Sequence, residues 1–446
     1  MSNWTSDRVL ALAPDASSAS AGRGLASFSK WVSFARNDAA IWGECQGSGK
    51  LPYQTRVDLE GGSAKCSCPS RKFPCKHSIG LLLLYAAKPD SFATADPPPW
   101  VAEWLETRAQ KAETKAAKAA EPPKPADEAA QTKRLAARAK KVEKGLEELQ
   151  LWLYDLVRGG LAQAPGKGYG YWDAAAKRLV DAQAPGLARM VRELAEHTSG
   201  EGWQERLLQR LGRIHLLVQG HKHLEGLSPE TQADLRTAIG FSQPQEEVLA
   251  QEGVLDCWQV LGQSTEVEEN LRARRSWLRG EATGRWALLL EFAFGKQPFE
   301  QFLAFGDVWE GELAFYPSAY PLRAVPKRGL LRRDLRVRGL AAEPFGAVLD
   351  RYSQALAQNP WVTRVPVVFS ATLEPLGEPS AWTLRCGGGE QVRLHPRFNL
   401  SEALLAQCGG YAPNLFGEWD GQTFLPLCAH SPEDLDLFNL THQEQP

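Results

Sequence analysis

The sequence lacks any long hydrophobic run and any excess of one charge, and each absence excludes a class of protein. Its longest apolar stretch, Ile79–Ala87, has nine residues, whereas a helix needs about 20 to cross a bilayer. Lys and Arg number 51 against 53 Asp and Glu, so the net charge of −2 excludes a uniformly basic nucleic-acid coat. The N-terminus lacks a basic cap followed by an apolar segment, so we expect no secretory signal and a cytoplasmic location.

Cysteine is scarce and unevenly placed. Eight cysteines in a chain of 446 residues argue against the disulfide framework that is typical of small secreted domains. Five are scattered, and we interpret them as small buried hydrophobic residues. The other three fall within ten positions of one another and require a different explanation. The scattered residues are Cys45, Cys257, Cys386, Cys408 and Cys428.

Composition divides the chain into four segments. Residues 1–106 combine alternating strands and helices around the cysteine cluster, with a finger over about 41–88. From 107 to 144, eleven basic and five acidic residues give a net charge of +6, and the scarcity of large apolar residues predicts a solvated linker. Residues 145–250 show helical periodicity, whereas 251–446 contain apolar, β-prone runs. We therefore expect an α+β multidomain protein with an all-helical middle domain and a β-rich C-terminal domain.

Cys66, Cys68, Cys75 and His77 form the pattern C-x-C-x6-C-x-H. Four thiolate or imidazole donors within twelve positions are the number that a closed tetrahedral zinc site requires. We predict a strand over Ala64–Cys68. Side chains two positions apart on a strand point to the same face, so Cys66 and Cys68 can bind one ion. On a helix, side chains two positions apart point about 200° away from each other, so Cys75 and His77 cannot both lie well inside one helix. We therefore expect Cys75 in a loop and His77 in a first helical turn. With four protein ligands, the predicted site holds one structural zinc ion rather than a catalytic one.

Basic residues surround these ligands, and no acidic residue lies between 63 and 80. Contact with a polyanion, such as the phosphates of a nucleic acid, is one interpretation. The other is that the cations offset the negative charge of zinc with three thiolates, or donate hydrogen bonds to the sulfurs. The sequence leaves a nucleic-acid-binding finger and a protein-docking finger both open. The candidate polyanion contacts are Lys65, Arg71, Lys72 and Lys76.

The ligand spacing resembles that of the SWIM zinc finger family. The segments Cys45–Tyr53 (CQGSGKLPY) and Cys68–His77 (CPSRKFPCKH) resemble its long bacterial members. The resemblance implies a ββα finger with the same four ligands and a role in binding nucleic acid or protein. The long bacterial members resemble gene neighbours of MoxR-type AAA ATPases and von Willebrand factor A-type proteins. This association implies an accessory role beside an ATPase.

Other candidate motifs favour structure over chemistry. The sequence contains no nucleophile elbow, HExxH helix or dinucleotide-binding fingerprint, so we expect a non-enzymatic protein without a small-molecule substrate. A run of arginines around Trp277 mixes cations with an aromatic residue, and we interpret it as a solvated helix face with one buried tryptophan. These arginines are Arg272, Arg274, Arg275 and Arg279.

These observations predict an interaction protein that acts as an accessory subunit of a complex. The alternative is a nucleic-acid-binding protein that uses the finger and the basic linker 107–144 together.

Overall fold

The computed structural model describes residues 4–13, 16–47, 51–59, 63–70, 74–108, 128–268, 270–295, 297, 299, 303–335, 337, 339–376, 382–430 and 437–440. These residues form an N-terminal sheet with helices, a helical region and a pair of small barrels. The predicted α+β multidomain class is confirmed. None of the helices in the described part of the chain is both long and apolar enough to span a bilayer.

The N-terminal region is a five-stranded sheet in the order β4–β3–β2–β1–β5. Residues on opposite faces of β2 contact different helices: Ile41 packs with α3, whereas Trp42 packs with α4. The sheet therefore lies between α3 and α4. The strands are β1 (Trp31–Arg36), β2 (Ala40–Cys45), β3 (Tyr53–Asp58), β4 (Ala64–Cys66) and β5 (Ala93–Thr94). The helices are α1 (Ser6–Ala11), α2 (Ala16–Arg23), α3 (Lys76–Ala87) and the stretch 99–108, which we call α4.

The helical region follows and buries one apolar stripe from each of its main helices. Helix α5 starts at Glu128, so residues 128–144 of the predicted linker are helical, because a packed apolar stripe extends upstream to Val142. Residues 109–127 lie outside the described residues, and the domain boundaries stay predictions. The helices are α5 (Glu128–Arg158), α6 (Tyr169–Asp181), α7 (Pro185–Glu193), α8 (Trp203–Lys222), α9 (Pro229–Ile239) and α10 (Gln245–Leu249).

The β-rich part consists of two barrels with the same strand order. In each, the first strand pairs with the second and the fourth, the second with the third, and the fourth with the fifth, all antiparallel. The third and fifth strands close each barrel in parallel. This topology is that of the OB fold, a five-stranded Greek-key barrel. The chain thus repeats one architecture, although its sequence shows no evident repeat.

The first barrel consists of β6 (Val254–Glu268), β7 (Leu271–Gly280), β8 (Trp286–Phe294), β9 (Val308–Phe315) and β10 (Arg323–Pro326), and β11 (Leu331–Arg333) extends it beside β9. Helix α11 (Phe345–Gln358) leads to the second barrel. That barrel consists of β12 (Val365–Pro375), β13 (Trp382–Cys386), β14 (Gln391–Leu394), β15 (Asn414–Trp419) and β16 (Thr423–His430). Helix α12 (Ser401–Cys408) lies between β14 and β15, and β17 (Leu437–Asn439) pairs with β16.

The two barrels share an apolar and ionic interface. The rings of Trp286 and Phe416 stack with centroids 5.1 Å apart, and a Cβ on Gly262 would lie 2.6 Å from Leu427. Glu418 is fully buried and accepts hydrogen bonds from Trp277 at 2.7 Å and from two arginines. One of these two arginines, Arg364, also pairs with Glu266, which in turn pairs with Arg397. We call the five residues of this network the inter-barrel charge cluster: Arg275, Arg364, Arg397, Glu266 and Glu418.

The helical region also contacts the barrels. The amide of Ala319, in the loop between β9 and β10, donates to the buried carboxylate of Asp234 in α9 at 2.8 Å. Trp361 packs against the helical core and donates through Nε1 to the carbonyl of Arg213 at 3.4 Å. The helices are therefore anchored to the β-rich part by side chains from both sides.

Candidate metal centre

The predicted ligands lie where β4 approaches the start of α3. Cys66 ends β4, Cys75 is the N-cap residue of α3, and His77 is the second residue of that helix. The strand ends at Cys66 rather than at Cys68 as predicted, because the Ser67 hydroxyl accepts the amide of Gln54 at 2.9 Å. The chain then leaves the sheet, and Cys68 approaches the helix from a loop.

The four donor atoms converge on one point. The sulfurs of Cys66, Cys68 and Cys75 and a ring nitrogen of His77 all lie within 4.8 Å of one another. Nδ1 of His77 is 3.8 Å from the sulfur of Cys66 and 3.9 Å from that of Cys75. A tetrahedral zinc site with its usual bond lengths has sulfur–nitrogen edges of about 3.6 Å. The donor types and their spacing therefore fit one structural zinc ion, with no position left for water or substrate.

Neighbouring side chains complete the surroundings of the ligands. The Thr55 hydroxyl of β3 lies 3.2 Å from the sulfur of Cys66, and the Ser78 hydroxyl lies 3.5 Å from that of Cys75. The ring of Tyr53 packs on His77 with centroids 4.9 Å apart. Hydroxyls at these positions can donate to thiolates, and the tyrosine holds the imidazole plane.

These three supporting residues were not predicted from the sequence. Thr55 lies opposite Cys66 in the β3–β4 pair. The antiparallel register of β3 and β4 was the signal that could have predicted it, since an antiparallel pair places opposite residues side by side. Ser78 and Tyr53 have no comparable local signal, because their proximity depends on how α3 packs on the sheet.

The crowding of the donor atoms shifts their pKa values. Hydrogen bonds with the other thiols raise the pKa of Cys66, whereas the bond with Cys66 lowers the pKa of Cys75. Burial opposes the charged form of His77, but hydrogen bonds with Cys68 and Cys75 raise its pKa to about 9. A zinc ion displaces the thiol and imidazolium protons and permits three thiolates at once.

Two of the four candidate polyanion contacts can be placed. Lys65 in β4 and Lys76 between the ligands Cys75 and His77 are both exposed. Arg71 and Lys72 lie outside the described residues. Zinc with three thiolates carries a net charge near −1, so the two exposed lysines add positive charge beside a negative centre.

The scattered cysteines do not join the cluster. Cys45, Cys386 and Cys428 are buried, and Cys257 and Cys408 are partly buried. Burial raises the pKa of each of these thiols. They remain protonated near neutral pH, as the interpretation as small hydrophobic residues requires.

A closed Cys3His site between a short strand and a helix N-terminus defines a structural zinc finger. Comparison with known families then specifies its type: residues 55–86 match the SWIM zinc finger, and residues 137–239 match the SWIM-associated four-helix bundle domain. The resemblance to SWIM zinc finger proteins and the prediction of structural zinc are confirmed. Both matched domains are of kinds that are typically non-catalytic. No curated protein and no solved structure matches the chain.

Proposed function

We propose that this chain is a zinc-stabilised, non-enzymatic interaction protein and an accessory subunit of a cytoplasmic protein complex. The convergence of the four donor atoms within 4.8 Å carries this proposal. Because three thiols and one imidazole complete a tetrahedron, zinc has no open position at which to activate water or substrate. The ion fixes β4 to α3 and so shapes a surface for contact.

Exposed apolar residues on the helical region support a protein partner. Leu151 and Val157 of α5 and Leu208 of α8 are exposed. The rings of Tyr154 and His215 lie 6.0 Å apart, so the exposed sides of α5 and α8 adjoin. Exposed apolar side chains on two neighbouring helices favour association with another protein over contact with phosphate. The resemblance to long SWIM proteins makes a MoxR-type AAA ATPase, or a von Willebrand factor A-type protein, the partner to test first.

Affinity purification of the tagged full chain from its host, with bound metal quantified, tests the proposal. We expect one zinc per chain and a stoichiometric protein partner that remains bound at about 0.5 M salt, where phosphate contacts are screened. The double variant Leu151→Ser/Leu208→Ser should lose the partner. Leu331→Ser, which replaces an equally exposed leucine in β11, is the matched control and should retain it.

The opposite result would favour nucleic-acid binding as the main role of the chain. If nucleic acid co-purifies and is released steeply as salt rises, while no protein is retained, the accessory-subunit proposal is wrong. Turnover by the purified chain would contradict its non-enzymatic part.

A further inference from the structure

The outer face of the first barrel is divided into a covered half and an open half. Alternate residues of β8 point away from the barrel interior, and near its start Trp286 and Leu288 pack against the second barrel. The same face continues to Phe292 and Phe294, which are 56 % and 62 % exposed. The second barrel thus covers only the first part of β8, and the two phenyl rings in the last part of the strand are exposed to solvent.

The neighbouring strand leaves these rings accessible. Ala273 of β7 lies opposite Phe292, and Leu271 lies opposite Phe294. A methyl side chain beside Phe292 cannot shield the ring, and Leu271 is itself exposed. Phe292 and Phe294 are two residues apart on one strand, so their rings are spaced by about 7 Å along it. Solvent-exposed phenylalanines at this spacing form a platform on which planar groups can stack.

Cationic side chains of the inter-barrel charge cluster border the open half. Glu266 of β6 lies opposite Ala273, and on this face it pairs with Arg364 at 2.7 Å and with Arg397 at 2.8 Å. The cluster contains three guanidiniums and two carboxylates, so it carries a net positive charge. Both arginines keep part of their surface in solvent. An anion beside the phenyl rings would therefore meet a positive border.

We propose that this open face of the first barrel binds single-stranded nucleic acid. Phe292 and Phe294 stack on unpaired bases, and Arg364 and Arg397 contact the phosphates that follow. Aromatic platforms with a cationic border suit single strands because every unpaired base exposes a π-face, whereas a duplex conceals it. The face is formed by the second and third strands, which in OB barrels can present a surface to oligonucleotides. This site is separate from the zinc finger and its linker.

Fluorescence anisotropy of the zinc-loaded full chain with labelled oligothymidylate and oligouridylate of about 20 nucleotides tests this proposal. A duplex of equal length serves as the competitor. We expect single strands to bind better than the duplex, and affinity to fall with salt. Phe292→Ser/Phe294→Ser should weaken binding by about tenfold or more, since each lost stacking contact is of that order. Leu255→Ser, at an exposed leucine elsewhere on β6, should leave binding unchanged.

A second pair of variants tests the phosphate contacts. Arg397→Gln should weaken binding and reduce its salt dependence, whereas Arg333→Gln, at an arginine paired with Glu310, should do neither. Thermal melting and light scattering of each variant establish its fold and oligomeric state. The proposal is wrong if the wild-type chain binds no single strand, or if the folded phenylalanine variant binds as tightly as wild type. It is equally wrong if that variant dissociates a dimer, because the face would then be a self-association surface.

Discussion

Two clusters join separate parts of this chain, and they differ in where their balancing charge comes from. At the finger, three thiols and an imidazole connect β4 to α3 and need a cation from solution. Between the barrels, arginines and glutamates connect β7 to β15, and the chain supplies both signs of charge. The first connection is therefore conditional on metal, whereas the second is complete as soon as the barrels fold.

Removal of zinc should give the largest difference between the two clusters. We expect chelation, or Cys75→Ser, to unfold residues near 40–90, because structural zinc in small fingers contributes on the order of 10 kcal/mol. The helices and barrels should remain folded. Hydrogen exchange with mass spectrometry measures both regions in one experiment. Cys257→Ser removes a scattered thiol and is the control; unchanged protection of 40–90 after metal loss would contradict the prediction.

Loss of the buried carboxylate should destabilise the barrels and spare the finger. Glu418→Gln leaves Arg275 without its charged partner and Arg364 with Glu266 alone, and breaking a buried ion pair costs about 3–5 kcal/mol. Urea unfolding followed by tryptophan fluorescence should show this loss, with zinc still bound. Glu374→Gln removes the half-exposed pair with Arg385 and should change stability by less than about 1 kcal/mol. Equal effects of the two variants would count against a special role for Glu418.

Acid should weaken the inter-barrel cluster over a defined pH range. Burial favours the neutral form of Glu418, but Arg275 and Arg364 outweigh it and lower its pKa from 4.5 to about 2. Because the folded-state pKa is the lower one, the stabilisation is complete above about pH 4.5 and is lost as pH falls towards 2. The shift corresponds to about 3 kcal/mol. Urea midpoints measured across this range should fall for wild type and stay flatter for Glu418→Gln.

The smallest effect should come from a helix cap outside both clusters. The Ser228 hydroxyl accepts the amide of Thr231 at the start of α9. Ser228→Ala should cost about 1 kcal/mol and leave zinc content unchanged. Ser353→Ala, at an exposed position inside α11, should cost less than about 0.5 kcal/mol. Thermal melting of both variants tests whether the helical region responds independently of the two clusters.

The sequence predicted the finger because its information is local. Four ligands within twelve positions fix the metal, and their spacing requires a turn before α3. The helices were predictable for a similar reason, since Leu146, Leu149 and Leu153 repeat at helical spacing and are buried.

The barrels were not predictable in the same way. Their closure depends on parallel pairs between β8 and β10 and between β14 and β16, which no local pattern reveals. The interpretation of the arginine run as a helix face was wrong, because these residues form β7. Arg272 and Arg274 lie over the ring of Phe299 on the inward side of that strand. Charged residues on both faces removed the alternation by which a strand is recognised.

The strands at the edges of the sheets are short, and this affects the tendency of the protein to aggregate at high concentration. Each barrel closes on itself, and the strands appended to the barrels, β11 and β17, have three residues each. At the borders of the N-terminal sheet, β4 has three residues and β5 has two. On the barrels, so few free backbone groups offer a poor template to a neighbouring molecule. In the N-terminal sheet, by contrast, β1 pairs with β5 only at Ala35 and Arg36. We therefore expect the folded barrels to resist fibril growth.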